Sequence, residues 1–142
     1  MSISMLRWIG HPVTLMLTIA LASCAMQPVR SPESVHITEV GAADLIGTEW
    51  QAIWVSGQLP VPGSEPTISF GAQRVEGSDG CNSYSGPATL ITGEYRPGEI
   101  STTRVACADP LAQKVATLFA EIIDRPQPIG LDEQRRLVIG PE

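Results

Sequence analysis

The sequence predicts an α+β fold, one small domain in which a single helix packs on an antiparallel sheet. Short stretches with apolar residues at alternate positions recur between turns rich in Pro and Gly, and a period of two marks half-buried strands. Only one segment carries a 3-to-4 apolar spacing. The order is strands, one helix, then strands, an arrangement that segregates the helix to one side of an antiparallel sheet.

Thr48 to Val55 reads as the first strand, with Trp50, Ala52 and Trp54 on one face and Ile53 and Val55 on the other. Apolar residues on both faces lead us to expect burial on both sides. Gly57 to Pro66 is a loop. Thr67 to Phe70 is a short strand with Ile68 and Phe70 inward, and Gly71-Ala72 turns it into a strand over Gln73–Gly77. Thr89 to Ile91 and Glu99 to Thr103 are strands joined through Gly93 and Pro97-Gly98, a hairpin-like connection. The helix is expected over about residues 109–124. Asp109 is a good N-cap, and Pro110 suits the first helical position, where its missing N–H costs nothing. Leu111, Val115, Leu118, Phe119 and Ile122 make its apolar stripe, and Arg125-Pro126 ends it. Ile129-Gly130-Leu131 and Arg135–Ile139 then flank Asp132-Glu133-Gln134 as a final hairpin.

The N-terminal region has a different character. Met1 to Arg7 carries one positive charge and no acid, and Val13 to Ala22 is apolar over about the length of a signal-peptide core. A bilayer span needs roughly 20 apolar residues, and Gly10-His11-Pro12 interrupts the longer count from Trp8, so a permanent transmembrane helix is the weaker reading. Leu21-Ala22-Ser23-Cys24 resembles the lipobox of bacterial lipoproteins. The resemblance implies cleavage before Cys24 and a lipid anchor on that cysteine. The expected organisation is a lipoprotein signal peptide over 1–23, a lipidated N-terminus and flexible tether over 24–44, and the domain over 45–141. Ala25 stands where an inner-membrane retention signal usually places Asp. By resemblance to that class, the expected place is the bacterial cell envelope, lipid-anchored in the outer membrane and facing the periplasm.

Charge narrows the partners. The chain has 15 acidic against 9 basic side chains, and removal of the leader takes only Arg7 from that balance. Lys114 is the one lysine, and no basic stripe offers nucleic acid an electrostatic footprint. The membrane is therefore a partner through Cys24 and not through surface charge. With Cys24 acylated, Cys81 and Cys107 remain and allow one pairing. An oxidising compartment favours a disulfide between them, and two separately buried thiols are the alternative. Closing such a loop stabilises by about 3–4 kcal/mol on a chain-entropy basis. Two cysteines and a remote His36 fall short of four zinc ligands, so no metal and no cofactor is expected.

Catalytic constellations fit poorly. His36 is the only histidine after the leader, which leaves a Ser-His-Asp or Cys-His arrangement without a placed base. There is no C-x-x-C for thiol exchange, and Gly77-Ser78-Asp79-Gly80 lacks the Gly-Lys-Ser/Thr of a phosphate loop; it reads as a tight turn. Asp79, Asp132 and Glu133 could in principle pair as glycosidase carboxylates, but Asp132-Glu133 falls in a hairpin turn, where solvated acids are ordinary. The stretch Gly80-Cys81-Asn82-Ser83-Tyr84-Ser85-Gly86 offers an amide and a phenol, Asn82 and Tyr84, as a candidate binding surface for a peptide or glycan. Its structural reading has Asn82 satisfying the turn and Tyr84 packing beneath it. Trp50 and Trp54 read as core residues first and as a stacking platform second.

Three motifs in this order resemble one family. Leu45-Ile46-Gly47-Thr48-Glu49-Trp50 is similar to an opening L-x-G-T-x-W, Gly77 with Gly80–Gly86 to a central G-x-x-G-C-N-x-Y-x-G, and Thr102–Cys107 to T-x-M-A-C. Together they resemble the META domain (HslJ-like) family. Val105 replaces the usual methionine, and Ala108-Asp109-Pro110 replaces a common acidic run. The resemblance implies a compact α+β fold with a strongly curved sheet. It also implies an envelope lipoprotein associated with heat shock and antibiotic tolerance, with no established catalytic residues or cofactor. The expected role is a non-enzymatic one, support of envelope integrity or stress tolerance through contact with an envelope protein. The alternative is a small-ligand-binding module or an enzyme acting on cell-wall fragments or hydrophobic compounds.

Overall fold

The computed structural model describes residues 1–7 and 36–141. In chain order the elements are β1 (Ile3–Arg7), β2 (Thr38–Glu39), α1 (Ala42–Leu45), β3 (Glu49–Val55), β4 (Thr67–Phe70), β5 (Arg74–Ser78) and β6 (Ser83–Ile91). They are followed by β7 (Glu94–Pro97), β8 (Ser101–Thr102), α2 (Pro110–Ile123), β9 (Gln127–Leu131) and β10 (Leu137–Ile139).

Eight strands close on themselves in the order β10-β1-β3-β4-β5-β6-β7-β9, and β9 pairs back to β10. Every pairing is antiparallel. The expectation of a curved sheet with one packed helix is thus met in class, but the sheet is a closed barrel. Closure removes the free edges that an open sheet would expose. Two features of the sequence concealed it. β6 is nine residues long, pairing β5 through Ser83–Pro87 and β7 through Ala88–Ile91, so Ser83–Gly86, expected as part of a loop, is strand. The other feature is β1, which lies in the segment read as the head of a signal peptide.

β1 is integral to the barrel. Ile3 sits between Val55 and Ile139, and Met5 between Ala52 and Leu137; both side chains are 0% exposed. Burying two such side chains contributes about 1.5–3 kcal/mol each, a large part of a typical domain stability of about 5–15 kcal/mol. Gly140, at φ +108°, has no room for a side chain, since a Cβ there would strike the Met1 carbonyl oxygen. The fold also begins earlier than the expected domain start. Thr38–Glu39 pairs with β9 and Val40 is buried, so residues 38–44, assigned to the tether, pack on the barrel.

β3 explains a second departure. Its pairing with β1 skips a residue, Ser4 facing Trp54 while Met5 faces Ala52. Ile53 is the extra residue of a β-bulge, which reverses the inside-outside alternation beyond it. Trp50 and Ala52 point inward, and after the bulge Val55 does, while Trp54 is 41% exposed. Trp50 is therefore a core residue as expected, and Trp54 is not.

α2 lays its apolar side against the barrel core. The Asp109 carboxylate accepts the N–H groups of Leu111 and Ala112 at 2.7 and 3.3 Å, with Pro110 in the first turn, as its residue types predict. Val115, Phe119 and Ile122 are buried as expected, joined by Ala112, Ala116 and Ile123. Leu111 is 45% exposed. The buried face is thus rotated away from the position that the larger side chains alone suggest. The Phe119 ring meets Tyr84 at 5.8 Å between centroids, and the Tyr95 hydroxyl donates to the Ile123 carbonyl at 3.0 Å.

Candidate functional site

The second and third sequence motifs come together on one flank of the barrel. Cys81 and Cys107 are bridged, with Cα atoms 5.5 Å apart and a sequence separation of 26. Asp79 begins the turn before Cys81. Its Oδ1 accepts the N–H groups of Cys81 and Asn82 at 2.8 and 2.6 Å, and its own N–H donates to the Asn82 carbonyl at 2.9 Å. That is an Asx turn, which satisfies the buried backbone locally. A carboxylate with an oxygen held by two turn donors is a poor candidate for acid–base work.

Asn82 faces the other way, toward the segment that leads into the helix. Its Nδ2 donates to the Val105 carbonyl at 3.2 Å, and its Oδ1 accepts from the Val105 N–H at 2.6 Å and the Thr103 hydroxyl at 3.1 Å. The amide mimics a strand neighbour and fastens residues 103–105 to β6. Tyr84 is buried, its hydroxyl donating to the Thr67 carbonyl at 2.8 Å. Burial, then Tyr95 and Asp79 nearby, push its phenol well above the ordinary tyrosine range. Gly77 makes this reach possible, because a Cβ there would collide with the Thr67 carbonyl and crowd the Tyr84 hydroxyl. Asn82 and Tyr84 are the expected binding surface; Tyr84 is buried, and the half-buried Asn82 spends its amide on Thr103 and Val105. The structural reading of each describes its hydrogen bonds.

These residues together support an exposed loop. Thr103 to Ala106 is exposed throughout, with Val105 at 64%. The disulfide holds the loop at Cys107 and Asn82 holds it at Val105. Sequence reasoning noticed Val105 only as a departure from a motif; its exposure could not be read from residue type. The remaining candidates are dispersed. His36 lines an open groove of about 520 Å³ with Ile37, Glu39, Gly93, Pro128 and Gly130. Among the described residues no three His, Cys, Asp or Glu side chains converge, and no helix is long and apolar enough to cross a membrane. Cys24, the lipobox and residues 24–35 of the tether expected over 24–44 lie outside the described residues.

The META domain sequence pattern matches residues 43–142, which is most of the chain. The chain belongs to the META domain family. No curated protein matches it in sequence. One solution NMR structure is 23% identical, covers 71% of this chain and 94% of its own, and superposes with a TM-score of 0.57, which shows a shared fold. An NMR structure of a protein from Burkholderia xenovorans is 19% identical over 84% of this chain and 96% of its own, at a TM-score of 0.48.

Membership makes physical sense of the opening motif of this META domain. The Trp50 indole N–H donates to the Thr48 hydroxyl at 2.7 Å, and that hydroxyl donates to the Leu45 carbonyl at 2.6 Å. The L-x-G-T-x-W spacing is a hydrogen-bond relay that ties a core tryptophan to the end of α1, with Gly47 at φ +80° making the turn between them.

Asp132 is likewise structural. Nearly buried, it accepts the N–H groups of Gln134 and Arg136 through Oδ1 at 3.0 and 2.8 Å and the Arg136 Nε through Oδ2 at 2.6 Å. Burial pulls its carboxyl upward, but the backbone and guanidinium donors of Arg136, with the Gln134 N–H, outweigh that and hold it below the ordinary aspartate value. A depressed folded value gives stability that is present above the unfolded pKa of about 3.9 and lost as pH falls through the folded value. Asp132→Asn is expected to remove about 2 kcal/mol at neutral pH and to flatten the loss of stability below about pH 4, read from thermal melts across pH 2–7. Asp124, raised by burial against the opposing pull of Arg125, works in the opposite sense and remains in the variant as an internal reference.

Proposed function

We propose that this chain is a lipid-anchored, non-enzymatic envelope protein whose META domain acts by contacting another protein. The observation that carries the reading is the Thr103–Ala106 loop, exposed along its length yet fastened by Asn82 and the Cys81–Cys107 bridge. A loop held rigid before it binds loses little conformational entropy on docking. Val105 at its tip, with the half-exposed Leu111 in the first turn of α2, supplies the apolar contact that a protein interface needs at its centre. The polar groups offered for chemistry at Asp79, Asn82, Tyr84 and Asp132 are instead bonded within the domain.

The anchor rests on Leu21-Ala22-Ser23-Cys24, with the small Ala25 after it favouring the outer membrane. A stress-related role in envelope maintenance follows the family resemblance. Small-ligand binding has less support, because the groove beside His36 is open and its ionisable residues, His36 and Glu39, are both exposed.

Crosslinked affinity purification from native membranes tests the reading when wild type is compared with a Val105→Glu/Leu111→Glu variant. A reproducible partner that the variant loses is the expected result, and the same recovery from both would end the loop assignment. The intact mass of the membrane form should match a chain starting at acylated Cys24. A chain that keeps Met1–Ser23 would end the lipoprotein assignment.

A further inference from the structure

Cleavage before Cys24 has a structural consequence, since it removes β1 from the barrel. We propose that the seam between β3 and β10 is a strand-accepting slot, and that the processed domain takes there an extended segment of a partner polypeptide. This rests on the reading that the leader is removed and that the domain acts by protein contact.

Four observations describe the slot and its occupant. The family match begins at residue 43, so the barrel's eighth strand comes from outside the span that defines the domain. That strand pairs antiparallel on both sides, with Val55 to Trp50 of β3 and with Ile139 to Leu137 of β10, so its loss leaves two unpaired edges facing one gap. Unpaired edges of this kind are templates for an added strand. The gap also has side-chain preferences. Ile3 fills the space between Val55 and Ile139, and the longer Met5 lies opposite the small Ala52. All of these residues are buried, so an empty slot would expose a continuous apolar strip. Finally, the backbone on either side is shaped for a strand. Gly140 allows chain to pass at the Met1 carbonyl, and the Ser56 N–H donates to the Ser2 carbonyl at 2.8 Å.

The fitting partner is therefore an extended segment of at least five residues, with a large aliphatic or thioether side chain at two positions two apart. Between them it carries a small or polar residue that faces outward beside Trp54, where Ser4 now lies. Trp54 and Leu6 are both substantially exposed on the barrel surface at this seam, so the added strand would also bring its outward residues against an aromatic ring.

The test uses the full chain, folded and then cut at a specific protease site engineered between residues 23 and 24. A fluorescently labelled peptide of residues 1–7 is added to the cut protein. Exchange of the peptide into the barrel, read by anisotropy and competed by unlabelled peptide, is the expected result. The same peptide carrying Ile3→Ser and Met5→Ser should compete at least about a hundredfold less well, as loss of two buried side chains requires. Failure of the labelled peptide to enter would overturn the proposal, and so would equal competition by the double variant. Dimerisation of the cut chain that excludes the peptide would also overturn it, by giving the slot to a second copy. None of these results depends on where the cell cleaves the chain, which the mass of the membrane form reports separately.

Discussion

Reduction of the Cys81–Cys107 bridge is expected to destabilise the domain by about 3.5 kcal/mol, the chain-entropy value for a closed loop of this length. For a domain of about 100 residues that lowers the melting temperature by about 20 °C. The bridge spans 26 residues, including β6, β7 and β8, and joins the Asp79 turn to the loop before α2. Its removal therefore releases the Thr103–Ala106 loop as well as the unfolded chain. The Cys81→Ser/Cys107→Ser variant should show the same drop without reductant, and wild type should resist thiol labelling until reduced. Labelling of both sulfurs in the folded, unreduced protein would defeat the assignment. If the loop is the contact surface, the variant should also lose its crosslinked partner below its melting temperature, because only hydrogen bonds, from Asn82 and Ser83 to Thr103 and Val105, then hold the segment.

Phe119→Ala is expected to cost about 4 kcal/mol, the usual range for deleting a buried phenyl ring being about 3–5 kcal/mol. Phe119 is fully buried on α2 and packs against Tyr84, so the cavity would open beneath Tyr84 at the start of β6, two residues after Asn82. Leu111→Ala, on the same helix but half exposed, should cost no more than about 0.5 kcal/mol. The two residues belong to one stripe by sequence spacing, and urea denaturation of the pair separates them. Equal losses would place the helix face wrongly. An unchanged urea slope in both variants would show that stability moved and not the extent of unfolding.

Legibility in the sequence followed how local the cause was. The Asp109 cap and Pro110 located the start of α2, because capping depends on a few adjacent residues. Thr67–Phe70 and the final hairpin were likewise readable from alternation between turn residues. Trp54 was misplaced for a specific reason. The bulge at Ile53 is set by pairing with β1, 46 residues or more away in sequence, and a one-residue slip reverses every later side chain. Leu111 illustrates the same limit on the helix, since small Ala112 and Ala116 lie closer to the barrel than a larger neighbour does. At the candidate site, the residues are visible as motifs, and the residue types of Asn82 and Tyr84 admit the hydrogen bonds that they make. Their partners Val105, Thr103 and Thr67 were not, because none of those contacts is sequence-local.

The sequence alone determined the family, the α+β class, the helix and the one pairing open to Cys81 and Cys107 once Cys24 is set aside. Each depends on residue identity at short spacing or on a simple count. Tertiary structure decided that the sheet closes, that Ile3 and Met5 fill its last gap, and that Asn82 turns toward residues 103–105 to hold a loop whose Val105 faces out. Those outcomes depend on which distant strands pair and in what register, and register is fixed by burial across the whole barrel and not by any one segment of chain.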